Sequence, residues 1–241
     1  MQDKNNAVAT SQNEFLRRLE PRDNQEKKMA RKYISSFGEE VGNAVSHGAM
    51  SAITLLALPV AAIYSFARTG SLTSAVGVSI FGVSIFLMFL ASTLYHSMSP
   101  ASKHKQVFQI LDHIFIYVAI AGTYTPVALT TIGGWQGIVI VALQWAMVIF
   151  GVLYKSLSSR SIPALSLTIY LVMGWTVVFF FPIFLSNASL TFIILIASGG
   201  VCYTVGAVFY AMKGFKYHHM VWHLLIDAAA ACHYVAIMWF L

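Results

Sequence analysis

The residues best suited to chemistry lie near the end of the chain, where His219 and His223 stand four positions apart. On a helix this spacing places two imidazoles on one face, with Cβ atoms about 5–6 Å apart. Two ring nitrogens so placed can bind one zinc ion at about 2.0–2.1 Å each. A pair of hydrogen-bonded core histidines is the structural alternative. The surrounding residues are those of a membrane span, where ionisable groups are rare and usually functional, so the pattern favours the metal.

The composition is that of an integral membrane protein. Of the 241 residues, 58% are hydrophobic and only 10% are charged, whereas soluble domains average about 25% charged residues. Apolar segments close to the ~20 residues that a bilayer core requires occupy 43–67, 72–97, 107–130, 135–154, 163–185, 189–211 and 217–240. We therefore predict an all-α integral membrane protein, a seven-transmembrane helix bundle at 43–241, preceded by a hydrophilic arm at 1–42.

The distribution of positive charge predicts the orientation of this bundle. The arm holds eight of the 15 Lys and Arg residues. Six more lie in the connections on the same side of the bundle: Lys103, Lys105, Lys155, Arg160, Lys213 and Lys216. Only Arg68 lies on the other side. The positive-inside rule therefore places the N-terminus in the cytoplasm and the C-terminus outside, as in a multi-pass plasma-membrane protein.

The same distribution bears on the partners of the basic arm. The net charge of +6 could suggest nucleic acid, but its concentration beside membrane spans points to anionic lipid head groups instead, with no nucleic acid as partner. Part of the arm, from Phe15 to Ile34, could form an interfacial helix; the alternative is a tail that only sets topology.

The predicted topology gathers the polar residues of the spans at a similar depth. Three neutral imidazoles, His96, His219 and His223, would fill three corners of a tetrahedral Zn²⁺ site and leave the fourth open for water, as in catalytic sites. Asp112 could accept the proton of that water, and Ser92, one turn before His96, could donate to a developing oxyanion. The structural alternatives are an acid near a helix N-terminus for Asp112 and a packing hydroxyl for Ser92.

Further polar residues lie close to the predicted metal site. Glu40, Asn43 and His47 share one helical face and could support the metal ligands, relay protons, or simply cap and pack the first span. Asp227 stands one turn beyond His223, where it could be a local acid behind the ligands or face a wet cavity. His233 lies about three turns deeper than His223, too far to join the cluster.

At this point the chain resembles a known superfamily. The motifs Glu-x2-Asn-x3-His (40–47), Ser-x3-His (92–96), Leu111-Asp112-His113 and His-x3-His (219–223) match the progestin and adipoQ receptor superfamily. The strings at 91–96 and 121–126 are similar to those of its bacterial haemolysin III branch, over residues 38–241 and outside the arm. The resemblance implies seven helices with the N-terminus inside, zinc held by the three histidines, and an Asp112-bound water. Asp227 departs from it, since an apolar residue is expected there.

The resemblance also implies a relation to alkaline ceramidases, which hydrolyse lipid amides. We therefore expect a zinc-dependent, membrane-embedded hydrolase of lipid amides that contributes to membrane lipid homeostasis, in a bacterial inner membrane. One alternative is a non-catalytic sensor or regulator of membrane state with a structural zinc. The other is the cytolytic activity that gave the haemolysin III branch its name, which ranks lowest because the first 40 residues contain no apolar signal segment. Three histidines rather than four ligands favour an open, catalytic site.

Overall fold

The structure, a computed structural model, describes residues 36–100, 102–158, 162–212 and 215–241. Most of the basic arm, including the interfacial helix predicted at Phe15 to Ile34, lies outside these ranges. The described residues form helices only: α1 (Phe37–Thr69), α2 (Leu72–Ser97), α3 (Lys103–Pro126), a π-helical segment (Val127–Ile132), α4 (Gly134–Leu157), α5 (Pro163–Gly174), a 3₁₀ segment (Trp175–Phe180), α6 (Phe181–Asn187), α7 (Leu190–Met212) and α8 (His218–Phe240).

Within those ranges, seven helical segments are long and apolar enough to cross a membrane. The third is α3 continued by the π-helical segment, and the fifth joins α5, the 3₁₀ segment and α6. The remaining spans are single helices. The predicted seven-helix architecture is confirmed, and the chain is an all-helical, multi-pass membrane protein.

The first span begins earlier than the sequence suggested. We predicted a start at residue 43, but α1 starts at Phe37. The hydroxyl oxygen of Ser36 accepts a hydrogen bond from the backbone N–H of Glu39 at 3.3 Å, which satisfies one of the free donors of the first turn. The acids Glu39 and Glu40 also lie in that turn, where the helix dipole favours negative charge. These two carboxylates are therefore held on a rigid helix rather than on the arm.

Helix α2 lies at the centre of the bundle. In its apolar stretch 61% of residues are buried, against 11% in the fifth span. Successive spans pack against one another, and α8 returns to lie against α1 and α2. A Cβ on Gly206 of α7 would come within 2.9 Å of the Trp222 ring on α8, so the glycine allows these two helices to approach closely. The end of α2, with His96, and the start of α8, with His219 and His223, meet at one end of the bundle, which we call the histidine end.

The helical breaks lie in the other half of the molecule. Pro126 ends α3 and the chain continues as a π-helical segment, while α5 gives way to the 3₁₀ segment after Gly174. The Tyr124 hydroxyl donates to the Gly174 carbonyl at 2.6 Å and accepts from the Val177 N–H at 3.0 Å. Such a break is tolerated in a membrane span because a neighbouring helix satisfies the freed backbone groups.

Candidate metal centre

Three histidines from two helices converge at the histidine end. His96 lies in the last turn of α2, and His219 and His223 lie in the first two turns of α8. One ring nitrogen from each lies within 4.8 Å of the other two. The ring centroid of His223 is 4.8 Å from that of His96 and 4.7 Å from that of His219. This group, which the sequence predicted, could hold a metal ion.

The hydrogen bonds of these rings fit a metal. His96 Nδ1 lies 3.1 Å from Glu40 Oε2, and since a carboxylate only accepts, Nδ1 donates and Nε2 is left with a lone pair. His96 Nε2 and His219 Nε2 are both buried and find no hydrogen-bond partner within the described ranges. Burying such atoms without a partner is unfavourable. A metal ion bound to both would remove that cost, and imidazole nitrogen is a preferred zinc ligand.

A small cavity of about 30 Å³ borders the cluster. Asp112 and Ser92 line it together with His219 and His223, so the structure brings the predicted catalytic pair to the predicted ligands. The Ser92 side chain is buried, at 1% exposure, and Oγ has no hydrogen-bond partner among the residues described. Much of the remaining wall is apolar, including Met88, Ile116, Leu167, Trp222 and Ile226.

Asp112 has a cationic neighbour that the sequence did not reveal. Lys155, in the last turn of α4, interacts electrostatically with the Asp112 carboxylate. The lysine is only 7% exposed, and a buried charge requires compensation. His113 also lines the cavity, and its Nδ1 lies 2.6 Å from the Gln109 carbonyl oxygen. The carboxylate is thus embedded among charged and polar groups.

The polar stripe of α1 lies directly behind the cluster. Glu40 reaches His96, as described, and the His47 ring stacks on His223 with centroids 3.8 Å apart and an angle of 21° between the rings. Asp227 Oδ1 lies 3.6 Å from His47 Nε2, which is too long for a good hydrogen bond, and the two form an ion pair only when the imidazole is protonated. Asp227, which belongs to α8, therefore lies against α1.

Asn43 completes this stripe, one turn before His47. It is fully buried, and neither of its amide atoms is hydrogen-bonded to any part of the chain that the structure describes. The four residues that the sequence placed near the ligands thus fall into two groups. Glu40 and His47 contact ligand rings directly, whereas Asp227 contacts His47 and Asn43 is buried without a hydrogen-bond partner among the described residues.

Besides Lys155, two further residues at the site were not predicted. Glu39 Oε1 accepts a hydrogen bond from the His219 backbone N–H at 3.1 Å. Lys105 Nζ donates to Glu40 Oε2 at 2.8 Å and to the Met98 carbonyl at 3.1 Å. From the sequence, Lys105 indicated only the topology. No sequence pattern indicated that the adjacent acids Glu39 and Glu40 would contact two different helices, α8 and α2.

His233, by contrast, stays outside the cluster as predicted. Its Nε2 lies 3.1 Å from the Ile196 carbonyl oxygen, to which it can donate. This side chain links α8 to α7, deeper in the bundle than the metal centre.

The fold and site together define a multi-pass membrane protein of seven helices with a histidine cluster at one end of the bundle. Comparison with protein families then gives its family. Residues 35–234 match the family model described as "Haemolysin-III related". The chain belongs to the haemolysin III family, and the predicted membership is confirmed.

Curated relatives agree with this assignment. The chain is 35% identical over 203 residues to "Hemolysin-3 homolog" of Bacillus subtilis (strain 168), covering 84% of this chain and 94% of that protein. It is 33% identical over 202 residues to "Hemolysin-3" of Bacillus cereus, covering 84% and 91%. A human protein, "Monocyte to macrophage differentiation factor", is 29% identical over 164 residues, covering 66% and 67%. These likenesses are consistent with the haemolysin III branch of the progestin and adipoQ receptor superfamily.

Proposed function

We propose that this protein is a zinc-dependent, membrane-embedded hydrolase of lipid amides, related in action to ceramidases and contributing to membrane lipid homeostasis. One observation carries the proposal. Three histidines converge, and two of them, His219 and His223, line a largely apolar cavity together with a carboxylate and a buried hydroxyl. Mostly apolar pockets with a few convergent polar groups are typical of small-molecule sites.

His96, His219 and His223 would hold the zinc. Three protein ligands leave one position open, which distinguishes catalytic from structural zinc sites. A zinc ion bound there would supply Lewis-acid polarisation of a carbonyl and activation of water. The bond from His96 Nδ1 to Glu40 keeps Nε2 available as a ligand, in the manner of carboxylate–histidine pairs behind zinc.

Asp112 is the proposed general base. It lines the cavity beside the histidines, and a carboxylate there can take a proton from water and return it to the departing amine. Lys155 interacts electrostatically with this carboxylate. Ser92 Oγ, buried at the same cavity, can donate a hydrogen bond to the oxyanion that develops on the substrate carbonyl.

The remaining polar residues would orient the ligands. Glu40 fixes the tautomer of His96, and the stacked ring of His47 restricts rotation of His223. Asp227 lies 3.6 Å from His47 and would pair with that ring when it is protonated. Asn43, whose amide atoms are without partners among the described residues, is placed to bind water behind the site.

The apolar side chains that line the cavity favour a lipid as the substrate. Met88, Ile116, Leu167, Trp222 and Ile226 offer apolar surface to an acyl chain, while the histidines lie where a polar head group would meet them. Burial of a chain contributes about 0.8 kcal/mol per CH₂ group, so a lipid is favoured over a small water-soluble amide.

The orientation is part of the same proposal. We propose that the N-terminus and the histidine end lie at the cytoplasmic face and the C-terminus outside, because positive charges concentrate on the side of the N-terminus. A bacterial inner membrane fits this arrangement and the Bacillus relatives. The basic arm would then lie against anionic lipid head groups of the cytoplasmic leaflet.

Two other functions are the alternatives that the experiment below distinguishes from the hydrolase. A sensor or regulator with a structural zinc would use the same histidines without needing Asp112 as a base. The printed name of the Bacillus cereus relative, "Hemolysin-3", points to cytolysis. We place the hydrolase first because a cytolytic role does not account for a carboxylate and an unpartnered hydroxyl beside the cluster, within the described part of the chain.

Asp112→Asn tests the hydrolase most sharply, because the amide preserves shape and removes the base. Purified protein is assayed for fatty-acid release from ceramides and phospholipids, with and without a chelator. We expect wild-type activity that the chelator abolishes, and a loss of about 10²–10⁴-fold in the variant. The control is metal content, which the variant should keep. If wild type and Asp112→Asn release no fatty acid from any lipid and both restore a membrane-stress phenotype, the sensor replaces the hydrolase.

A further inference from the structure

Helix α1 supplies no ligand to the candidate metal centre, yet it contacts both helices that do. The contacts come from consecutive residues, Glu39 and Glu40, which we call the acidic bracket. Glu39 is bonded to the backbone of His219 on α8, and Glu40 to the ring of His96 on α2. The bracket thus spans the gap between two ligands that lie far apart in the sequence.

Glu39 acts as a cap supplied from another helix. The residue before α8, Tyr217, has φ of 65° and provides no side-chain cap for the helix. The first N–H groups of a helix have no acceptor within it, and Glu39 Oε1 accepts one of them at 3.1 Å. Glu39 is only 5% exposed. Since the N–H belongs to His219 itself, this bond fixes the backbone of a metal ligand.

Lys105 locks the other half of the bracket. Its ammonium donates at 2.8 Å to the same Glu40 oxygen that His96 contacts. It also donates to the carbonyl of Met98 at 3.1 Å, just beyond the end of α2. The lysine therefore ties Glu40 to the helix end that carries His96, and charge-assisted bonds of this kind are the stronger ones in proteins.

We propose that Glu39 and Lys105 are positioning residues for the metal, which set the separation of His96 from His219 through the acidic bracket. The inference rests on the metal site of the proposed function. An ordinary packing role would predict loss of thermal stability alone. Positioning predicts a change in metal affinity and in the geometry of the bound metal, since outer partners of metal ligands typically contribute 10–100-fold to affinity.

The first arm of the experiment replaces Glu39 in the full-length chain. Cobalt(II), whose visible absorption reports its coordination geometry, is titrated into purified protein, and zinc affinity is measured by chelator competition. Glu39→Gln keeps an oxygen acceptor, so we expect a loss of no more than a few-fold. Glu39→Met removes the acceptor, and we expect about a 10-fold loss of affinity with a shifted cobalt spectrum. Wild-type affinity and spectrum in Glu39→Met would overturn the role of Glu39, as would equal losses in both variants.

The second arm tests Lys105 in two backgrounds. If Lys105 acts through Glu40, Lys105→Met should weaken zinc binding about 10-fold in the native chain and have little effect in Glu40→Gln. Contacting residues that act together give such non-additive effects. Lys103→Met is the matched control, because Lys103 also lies in the first turn of α3 but is exposed. Equal losses in both backgrounds, or the same loss in Lys103→Met, would contradict the proposal.

The outcomes separate this inference from the function on which it rests. A wild-type chain that binds neither cobalt nor zinc would remove the metal site and the inference together. A wild-type chain that binds metal, with Lys105→Met unchanged, would remove the role of Lys105 and leave the site intact. If Glu39→Met does not fold, a loss of more than a few-fold in Glu39→Gln would still contradict the role of Glu39 as an acceptor, and the Lys105 variants would test the other half of the bracket.

Discussion

The two halves of the bundle both enclose polar side chains among apolar helices, but they use them differently. Around the helical breaks, several polar groups are bonded, although Gln144 Oε1 has no partner among the described residues. Tyr124 bridges two backbone groups, Trp145 Nε1 donates to Thr125 Oγ1 at 3.1 Å, and Asn187 Nδ2 donates to the Thr131 carbonyl at 2.9 Å. At the histidine end, polar atoms of Ser92, His96, His219 and His223 lack hydrogen-bond partners in the portion of the chain described.

This difference separates polar side chains that support the fold from polar side chains that are available to bind a ligand. Near the breaks, side chains replace the bonds that the helices themselves cannot make. At the histidine end the helices are regular, and the His219 N–H at the start of α8 is already bonded to Glu39. Buried polar atoms without partners then call for an explanation such as an ion or water. Rigid helices are also the better support for a metal, which needs its ligands held within fractions of an ångström.

The largest expected effect comes from removing two ligands at once. His219→Ala/His223→Ala should lose all zinc and should loosen the histidine end, because metal binding contributes folding free energy. His233→Ala is the matched control: it changes a buried histidine of the same helix that is bonded to the Ile196 carbonyl. We expect this control to lose stability and keep one zinc per chain, as measured by elemental analysis. Full zinc occupancy in the double variant would eliminate the site.

A smaller effect, confined to stability, is expected in the other half. Tyr124→Phe leaves the Gly174 carbonyl and the Val177 N–H without their side-chain partner, which should cost about 1–3 kcal/mol of unfolding free energy. Thermal unfolding in detergent would measure the loss. Zinc content and cobalt spectrum should be unchanged, since no ligand is touched. A changed zinc content or cobalt spectrum in this variant would mean that the two halves of the bundle are coupled. The contrast between bonded polar groups near the breaks and unpartnered ones at the histidine end would then not hold.

Most of the fold could be predicted from the sequence because the length of an apolar run is a direct consequence of bilayer thickness. The seven predicted segments coincide with the observed spans to within a few residues at most ends. The start of α1 at Phe37 was not predicted, because Ser36, Glu39 and Glu40 are polar and were assigned to the arm. Only the cap at Ser36 and the packing of α1 against α8 show why the helix extends.

The candidate site could be predicted in part. Helical spacing paired His219 with His223, and topology brought His96 and Asp112 to the same end. The contacts across helices could not be predicted, because they depend on the rotation of each helix about its axis. The stacking of His47 on His223 and the neighbour that Lys155 provides for Asp112 are of this kind. So is the bond from Glu39 to α8.

The central claim is an open zinc site formed by three histidines. X-ray absorption at the zinc edge of the purified protein tests it most directly. We expect three imidazole nitrogens at about 2.0–2.1 Å and an additional light scatterer from solvent in the open position. Sulfur scattering at about 2.3 Å, which is a thiolate distance, or a fourth imidazole would contradict it. So would an unchanged spectrum in His96→Ala.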